Sequence, residues 1–140
     1  MQDIDFLSED SELPQLDFDF LRNCIAEIIA HYNRRCGSIS IVFCSDNYII
    51  EVNRRYLNHD YYTDIITFDY NEGDIVSGDL VISLDTVQSN SIEFNTAYRE
   101  ELHRVIFHGI LHLVGFGDKT DEEEKIMRGL EDFWLGKFSV

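Results

Sequence analysis

Apolar residues recur along this chain with two different periods, and each change of period marks a predicted element. Spacing of three and four residues predicts five helices, over residues 17–37, 46–57, 85–94, 98–114 and 121–135. Alternation, or a run of β-branched and aromatic residues, predicts four strands, over residues 4–7, 39–43, 64–70 and 78–83. Acidic side chains are predicted to cap the first three helices, at Asp17, Asp46 and Asp85.

The fourth predicted helix differs from the others because it is apolar on nearly every face. Its apolar residues are Val105, Ile106, Phe107, Ile110, Leu111, Leu113 and Val114. A helix of this kind is buried, so we expect it at the centre of the fold. The same helix carries His108 and His112, and burying an unpaired polar group costs roughly 2–7 kcal/mol. These two histidines therefore need partners.

Length and composition indicate a single domain over residues 1–140. The chain holds one proline and no stretch with the composition of a linker. It has no apolar run long enough to cross a bilayer, and its first residues lack the basic and apolar regions of a signal peptide. We therefore expect a cytoplasmic protein with no membrane partner. The three cysteines form no CxxC pair, and we interpret them as reduced apolar residues.

The formal net charge of −16 argues against broad electrostatic attraction to nucleic acid or to an anionic membrane. Basic residues nevertheless occur as pairs, at Arg34-Arg35 and at Arg54-Arg55, and Arg104 lies one turn before His108. A polyanion would therefore have to bind a local basic patch.

The most specific chemical signal is the spacing His108-x-x-x-His112-x-x-Gly115-x-x-Asp118. Residues four apart on a helix lie on one face with Cβ atoms roughly 5–6 Å apart, so both imidazoles can reach one ion. Gly115 suits the left-handed conformation that ends a helix, after which the chain can turn back and present Asp118. Two nitrogens and one oxygen around an open position are typical of a catalytic zinc site.

Each of these residues also has an interpretation that needs no metal. Either histidine of the pair could donate to a backbone carbonyl inside the core. Asp118 could cap the last helix, although Thr120 directly precedes the acidic first turn and suits that position better. The remaining histidines lack such a context and are expected at the surface: His31, His59 and His103.

The same ligand spacing occurs in metzincin-type peptidases, in which a glutamate directly after the first histidine accepts a proton from the metal-bound water. Gly109 occupies that position here and cannot accept a proton. A standard zinc-peptidase mechanism is therefore disfavoured.

Four blocks of the sequence, in order over roughly residues 40–135, resemble the YbeY family of rRNA maturation endoribonucleases. The segment His108-Gly-x-Leu-His112-Leu-x-Gly115-Phe is similar to the family's H-G-x-L-H-L-x-G-[YF]-D-H signature. Residues 53–68 resemble its L-N-x-x-[YF]-R-x-x-D-x-P-T-D-V-L-S-F block, and residues 78–83 match its G-D-[IL]-x-I-S strand. Residues 101–104 precede the first metal histidine as in many members.

The resemblance implies an α+β domain with a small mixed four-stranded sheet and about five helices. It places a zinc on the central helix and the loop after it, held by His108, His112 and Asp118. It also implies single-strand-specific, metal-dependent endoribonuclease activity in 3′ end maturation of small-subunit rRNA and in ribosome quality control. The implied partners are single-stranded RNA and the small ribosomal subunit, and no DNA is expected.

Four positions depart from the family pattern, and one of them is Gly117, where the signature has an aspartate. The third histidine of the signature is Asp118, whose harder oxygen makes the site more hospitable to Mn²⁺ or Mg²⁺ than three histidines would be. The proline before Thr63 is Tyr62, which we expect to change the loop and not the chemistry. The arginine after the aromatic residue of the second block is Leu57, which puts phosphate binding at that position in doubt.

Three other arginines are the candidates to contact phosphate in place of the missing one: Arg104, Arg55 and Arg54. Arg104 is the best placed, since it shares a helix with the metal histidines. Its alternative is an ion pair with a nearby acid such as Glu100 or Glu101. The sequence identifies no general base. Two other functions stay open at this point, a divergent zinc peptidase and a non-catalytic ribosome-assembly factor with a structural zinc.

Overall fold

The computed structural model describes residues 3–58 and 63–140 and arranges them in four strands and five α-helices. The strands are β1 (Asp3–Ser8), β2 (Arg35–Cys44), β3 (Ile65–Asp69) and β4 (Ile75–Ser83). The helices are α1 (Phe18–His31), α2 (Asp46–Val52), α3 (Leu84–Glu93), α4 (Tyr98–Leu113) and α5 (Asp121–Phe138). A π-helical turn (Asn53–Leu57) continues α2. The predicted α+β class is confirmed.

The four strands form one mixed sheet in the order β1-β2-β4-β3. Strand β2 pairs in parallel with both β1 and β4, whereas β3 pairs antiparallel with β4. Among the described residues, β3 is therefore an edge strand of the sheet.

The main core lies between one face of the sheet and the helices α1, α3, α4 and α5. Alternate residues of β2 and β4 face it, and the side chains of α4 fill its centre. The residues of this core with no exposed surface include Ile41, Phe43, Leu80, Ile82, Ile106, Phe107 and Ile110. The other face of the sheet packs against α2 through a smaller cluster. The predicted central burial of the fourth helix is confirmed.

Helix α1 is shorter than predicted, because it ends at His31 and not at Gly37. Asn33 adopts a left-handed conformation (φ +61°), and the Arg34 N–H donates to the Ile29 carbonyl at 3.2 Å. This is the hydrogen bond that closes a Schellman-type helix end, and asparagine tolerates the required φ. The chain can therefore enter β2 at Arg35.

Two of the three predicted helix caps are wrong by one or two residues. Asp17 caps α1 as predicted, but α2 is capped by Ser45 and α3 by Ser83. Asp46 instead accepts hydrogen bonds from the hydroxyls of Ser83 (2.6 Å) and Thr86 (2.5 Å), which ties α2 to α3. A serine hydroxyl one or two residues before each aspartate accepts from a backbone N–H of the first turn, which leaves the carboxylates for contacts between elements.

Other expectations about individual residues have mixed outcomes. His31 is exposed as expected, and His59 and Tyr62 lie outside the described residues. The three cysteines are free. In the described part of the chain, no helix has the length and apolar character needed to cross a membrane.

The expectation that His103 lies at the surface is wrong, since it is 1% exposed. Its Nδ1 lies 2.7 Å from the Arg99 carbonyl, one turn back on α4, which satisfies one ring nitrogen. It packs edge-on against Phe107, with ring centroids 6.2 Å apart. In the sequence, His103 follows a helical turn of mostly polar residues, which indicates an exposed position. It is buried because α4 packs among other elements.

Burial lowers the pKa of His103, an effect that the charge of Arg99 adds to and the hydrogen bond to the Arg99 carbonyl partly offsets. The folded protein therefore holds a neutral ring more firmly than the unfolded chain does. The stability that this contributes is fully present above the unfolded pKa of about 6.5 and is lost as the pH falls below it. We therefore expect the unfolding free energy of His103→Gln to fall less between pH 7 and pH 5 than that of the parent.

Denaturant unfolding at several pH values measures this effect. The matched control replaces exposed His31 by Gln and should keep the pH dependence of the parent. Identical pH profiles for the parent and the His103 variant would show that another group causes the drop.

Candidate metal centre

His108 and His112 lie on one face of α4 and point towards the carboxylate of Asp118. Each Nε2 atom is 3.2 Å from the same Asp118 oxygen, Oδ2. The two rings stand edge to face with centroids 4.6 Å apart. All three donor atoms lie within 4.8 Å of one another, and each residue is partly exposed. The structure thus brings together the three residues that the sequence predicts as metal ligands.

The turn after α4 is what returns Asp118 to the histidines. Gly115 has a φ of +118°, and the Phe116 N–H donates to the Leu111 carbonyl at 3.0 Å. The side-chain amide of Asn71 donates to the Leu113 carbonyl at 2.7 Å, which anchors this helix end to the β3–β4 hairpin. An L residue with a side chain rarely adopts such a φ, so this position requires glycine.

Thr120, and not Asp118, caps α5. Its hydroxyl accepts from the Glu123 N–H at 3.1 Å, and the Glu123 side chain accepts from the Thr120 N–H, which completes a capping box. The alternative interpretation of Asp118 as a helix cap is therefore wrong.

The Nδ1 atom of each histidine is occupied by an acceptor. Nδ1 of His112 lies 2.8 Å from the Phe116 carbonyl, and Nδ1 of His108 lies 2.7 Å from Oε2 of Glu131. A carbonyl or a carboxylate oxygen can only accept, so each Nδ1 carries the hydrogen. In the neutral ring the lone pair is then on Nε2, on the side of Asp118. Metal-binding histidines in proteins are oriented in this way.

The spacing of the donor atoms also suits a divalent metal. Zinc bonds of about 2.0–2.1 Å in a tetrahedron put neighbouring donor atoms about 3.3 Å apart. The two separations from Asp118 to the histidines are 3.2 Å. Two imidazole nitrogens and one carboxylate leave a fourth position open for water or substrate, so the residues present fit a catalytic metal.

The pKa of His108 reflects these acidic neighbours. Burial lowers it, but the hydrogen bond and charge of Glu131, together with the charges of Asp118 and Asp64, outweigh burial and raise it overall. A metal at this position would therefore compete with a proton for the His108 ring. Because only the neutral ring is a ligand, apparent metal affinity should increase with pH.

Two clefts meet at His108 and Asp118. The larger, of about 490 Å³, runs between the edge strand β3 and the end of α4, and the smaller, of about 320 Å³, runs between α4 and α5. Leu57, at the end of the π-helical turn, lines the larger cleft. The position at which this chain has leucine and the family pattern has arginine therefore lies in the wall of the larger cleft.

The three arginines predicted to contact phosphate have different positions. Arg104 lines the smaller cleft and is ion-paired with Glu131 (3.0 Å) and Asp132 (2.8 Å) on α5. The ion pairing that was the alternative to phosphate contact is thus present for Arg104, but its partners lie on α5 and not on its own helix. Arg54 and Arg55 are exposed on the π-helical turn, where Arg54 pairs with Glu51 at 2.6 Å and Arg55 lines a separate small pocket.

Two acids at the site carried no role in the sequence prediction. Glu131 has a signal in the sequence, because it interrupts the buried stripe of α5 that includes Met127, Trp134 and Leu135. Asp64 lines both clefts, and burial raises its pKa, an effect that His108 partly offsets. No periodic pattern marks Asp64, because its position at the two clefts depends on the pairing of β3 with β4.

The sequence is similar over nearly its whole length to proteins of one family. The family model described as Endoribonuclease YbeY matches residues 4–139. The Endoribonuclease YbeY of Phocaeicola vulgatus is 52% identical over 137 residues, which cover 98% of this chain and 99% of that protein. The protein of the same name from Bacteroides fragilis is 53% identical, covering 92% and 93%. A solution structure of a Thermotoga maritima protein aligns with a TM-score of 0.64 at 27% identity, covering 97% of this chain and 91% of that one.

Proposed function

The chain belongs to the YbeY endoribonuclease family, and on this basis we propose that it is a metal-dependent endoribonuclease that cleaves single-stranded RNA. The proposed substrate is the 3′ end of small-subunit rRNA, in maturation and in ribosome quality control. The small ribosomal subunit is the proposed partner, and the proposed location is the cytoplasm. Relatives that carry the name Endoribonuclease YbeY support the nuclease over the peptidase and over the assembly factor.

The observation that carries this proposal is the convergence of two Nε2 atoms on Asp118 at the junction of two clefts. His108, His112 and Asp118 would hold one zinc ion per chain. The carboxylate makes Mn²⁺ or Mg²⁺ the alternatives to test. When bound, such a metal supplies Lewis-acid chemistry, polarising a phosphoryl oxygen and lowering the pKa of water.

The chain's own residues would do the remaining work of binding and orientation. The larger cleft is open along β3, which gives an extended strand of RNA access to the ligands. Contact of Arg104, Arg55 or Arg54 with phosphate stays a prediction, as does the identity of the general base. Because the net charge is −16, we expect RNA binding to be weak without a local contact of this kind.

We expect the purified protein to contain about one equivalent of zinc and to cleave single-stranded rRNA fragments. A chelator should abolish cleavage, and added zinc should restore it, because the ligands remain in place when the metal leaves. Elemental analysis and an end-labelled RNA assay measure the two quantities.

Three matched substrates define the specificity in the same assay. RNA annealed to its complement, DNA of the same sequence and a peptide should all stay intact. Cleavage of the peptide with intact RNA would favour the peptidase alternative, and zinc without cleavage of any substrate would favour the assembly factor.

A further inference from the structure

Glu131 reaches the metal centre from α5, a helix outside the segment that carries the ligands. Its side chain is only 6% exposed, and its Oε2 accepts from Nδ1 of His108 at 2.7 Å. Its other oxygen, Oε1, lies 3.0 Å from Nη1 of Arg104 and 3.6 Å from Nη1 of Arg128. Each oxygen of the carboxylate therefore has its own partners.

A buried carboxylate is stable only when other charges compensate it. The guanidinium of Arg104, with a side chain 11% exposed, donates through Nη1 to Glu131 and through Nη2 to Asp132. This arrangement places a guanidinium directly against the buried carboxylate of Glu131. An ionised carboxylate has no hydrogen to donate, so it fixes the hydrogen of His108 on Nδ1 and leaves Nε2 as the donor atom.

The two histidine ligands are thus oriented by different parts of the fold. His112 is held by the Phe116 carbonyl, four residues further along its own segment. His108 is held by a side chain 23 residues away, on a helix that packs against α4. The geometry of the first ligand therefore depends on how α5 lies against α4.

We propose that Glu131 is a positioning residue of the metal centre and that Arg104 acts on the metal centre through Glu131. This inference rests on the proposed metal site and adds two residues to it. It also gives Arg104 a role that does not require contact with the substrate.

Zinc affinity of the purified full chain, measured by competition with a chromophoric chelator, tests the proposal without any activity assay. Glu131→Gln keeps the size of the side chain and an acceptor oxygen but removes the charge. We expect it to weaken zinc binding by about 10–100-fold, as substitutions of residues behind metal-binding histidines do. Glu131→Asp keeps the charge but shortens its reach, and we expect an intermediate loss.

Asp132→Asn is the matched control, because Asp132 pairs with the same arginine without touching His108. It should leave zinc affinity unchanged. Arg104→Lys should weaken zinc binding, and its effect should not add fully to that of Glu131→Gln, since both changes act on one hydrogen bond. Thermal unfolding of the metal-free variants checks that each one is folded.

The outcomes separate this inference from the proposed function. Wild-type zinc affinity in folded Glu131→Gln and Glu131→Asp would overturn the positioning role while leaving the metal site in place. Unchanged affinity in Arg104→Lys, with weaker RNA binding, would make Arg104 a substrate contact instead. Equal zinc affinity in the wild type and in His112→Ala would overturn the metal site, and this inference with it.

Discussion

His112→Ala is expected to lose both bound zinc and RNA cleavage while the chain stays folded. The Nε2 atom of His112 is one of three donor atoms that converge at the site, and nothing else in the described part of α4 replaces it. Removing a residue behind a ligand costs about 10–100-fold in metal affinity, so removing the ligand itself should cost at least about 100-fold. Cleavage should fall to the level of the chelator-treated parent.

The fold should tolerate this change because the His112 side chain is partly exposed and lines the cleft. Elemental analysis, chelator competition and the single-stranded RNA assay measure the losses, and thermal unfolding of the metal-free forms measures the fold. His31→Ala, at an exposed position at the end of α1, is the control and should keep its zinc and its activity. Unchanged zinc content and unchanged cleavage in His112→Ala would contradict the assignment of the metal site.

Gly109→Glu places a glutamate where metzincin-type peptidases have their general base, and we expect it to destabilise the fold and not to produce a peptidase. A Cβ atom at position 109 would lie 2.8 Å from Cδ1 of Ile65 and 2.8 Å from Cδ1 of Leu80. A side chain there is therefore directed at the sheet. The expected loss of unfolding free energy is about 3–5 kcal/mol, the range for an uncompensated buried charge.

Chemical denaturation of Gly109→Glu and Gly109→Ala separates the charge from the volume. Alanine should cost less, because its gain in helix propensity of about 1 kcal/mol offsets part of the crowding. Gly129→Glu is the matched control on α5, where an added Cβ has no neighbour within 4 Å, and it should not be destabilising. A stable Gly109→Glu variant that cleaves peptides would contradict this interpretation of the helix packing.

The prediction of the fold succeeded where the pattern is local. The apolar face of α1 and the alternation in β2 follow from residues that are neighbours along the chain, and both elements are present. The end of α1 was predicted too late, because the helical spacing continued past Asn33, which takes the left-handed conformation. The order of the strands was not predicted, because hydrophobic alternation places a residue on one face of a sheet but does not identify the neighbouring strand.

The candidate site also has a part that local sequence pattern predicts and a part that only tertiary packing decides. The two histidines lie one turn apart on a helix, and the aspartate follows three residues after a glycine that can adopt a positive φ. One short segment therefore brings the side chains of the two histidines and the aspartate together. The sequence therefore predicted this candidate ligand set without knowledge of the rest of the fold.

Tertiary structure alone decided what surrounds these ligands. Glu131 reaches His108 from α5, and Arg104 has its partners on α5 rather than on its own helix. Asp64, directly before β3, lines the same two clefts as His108. The burial of His103 was decided in the same way. The physical reason is that helical spacing determines which residues share a face, whereas the charges and hydrogen bonds facing them come from elements that only the packed core brings near.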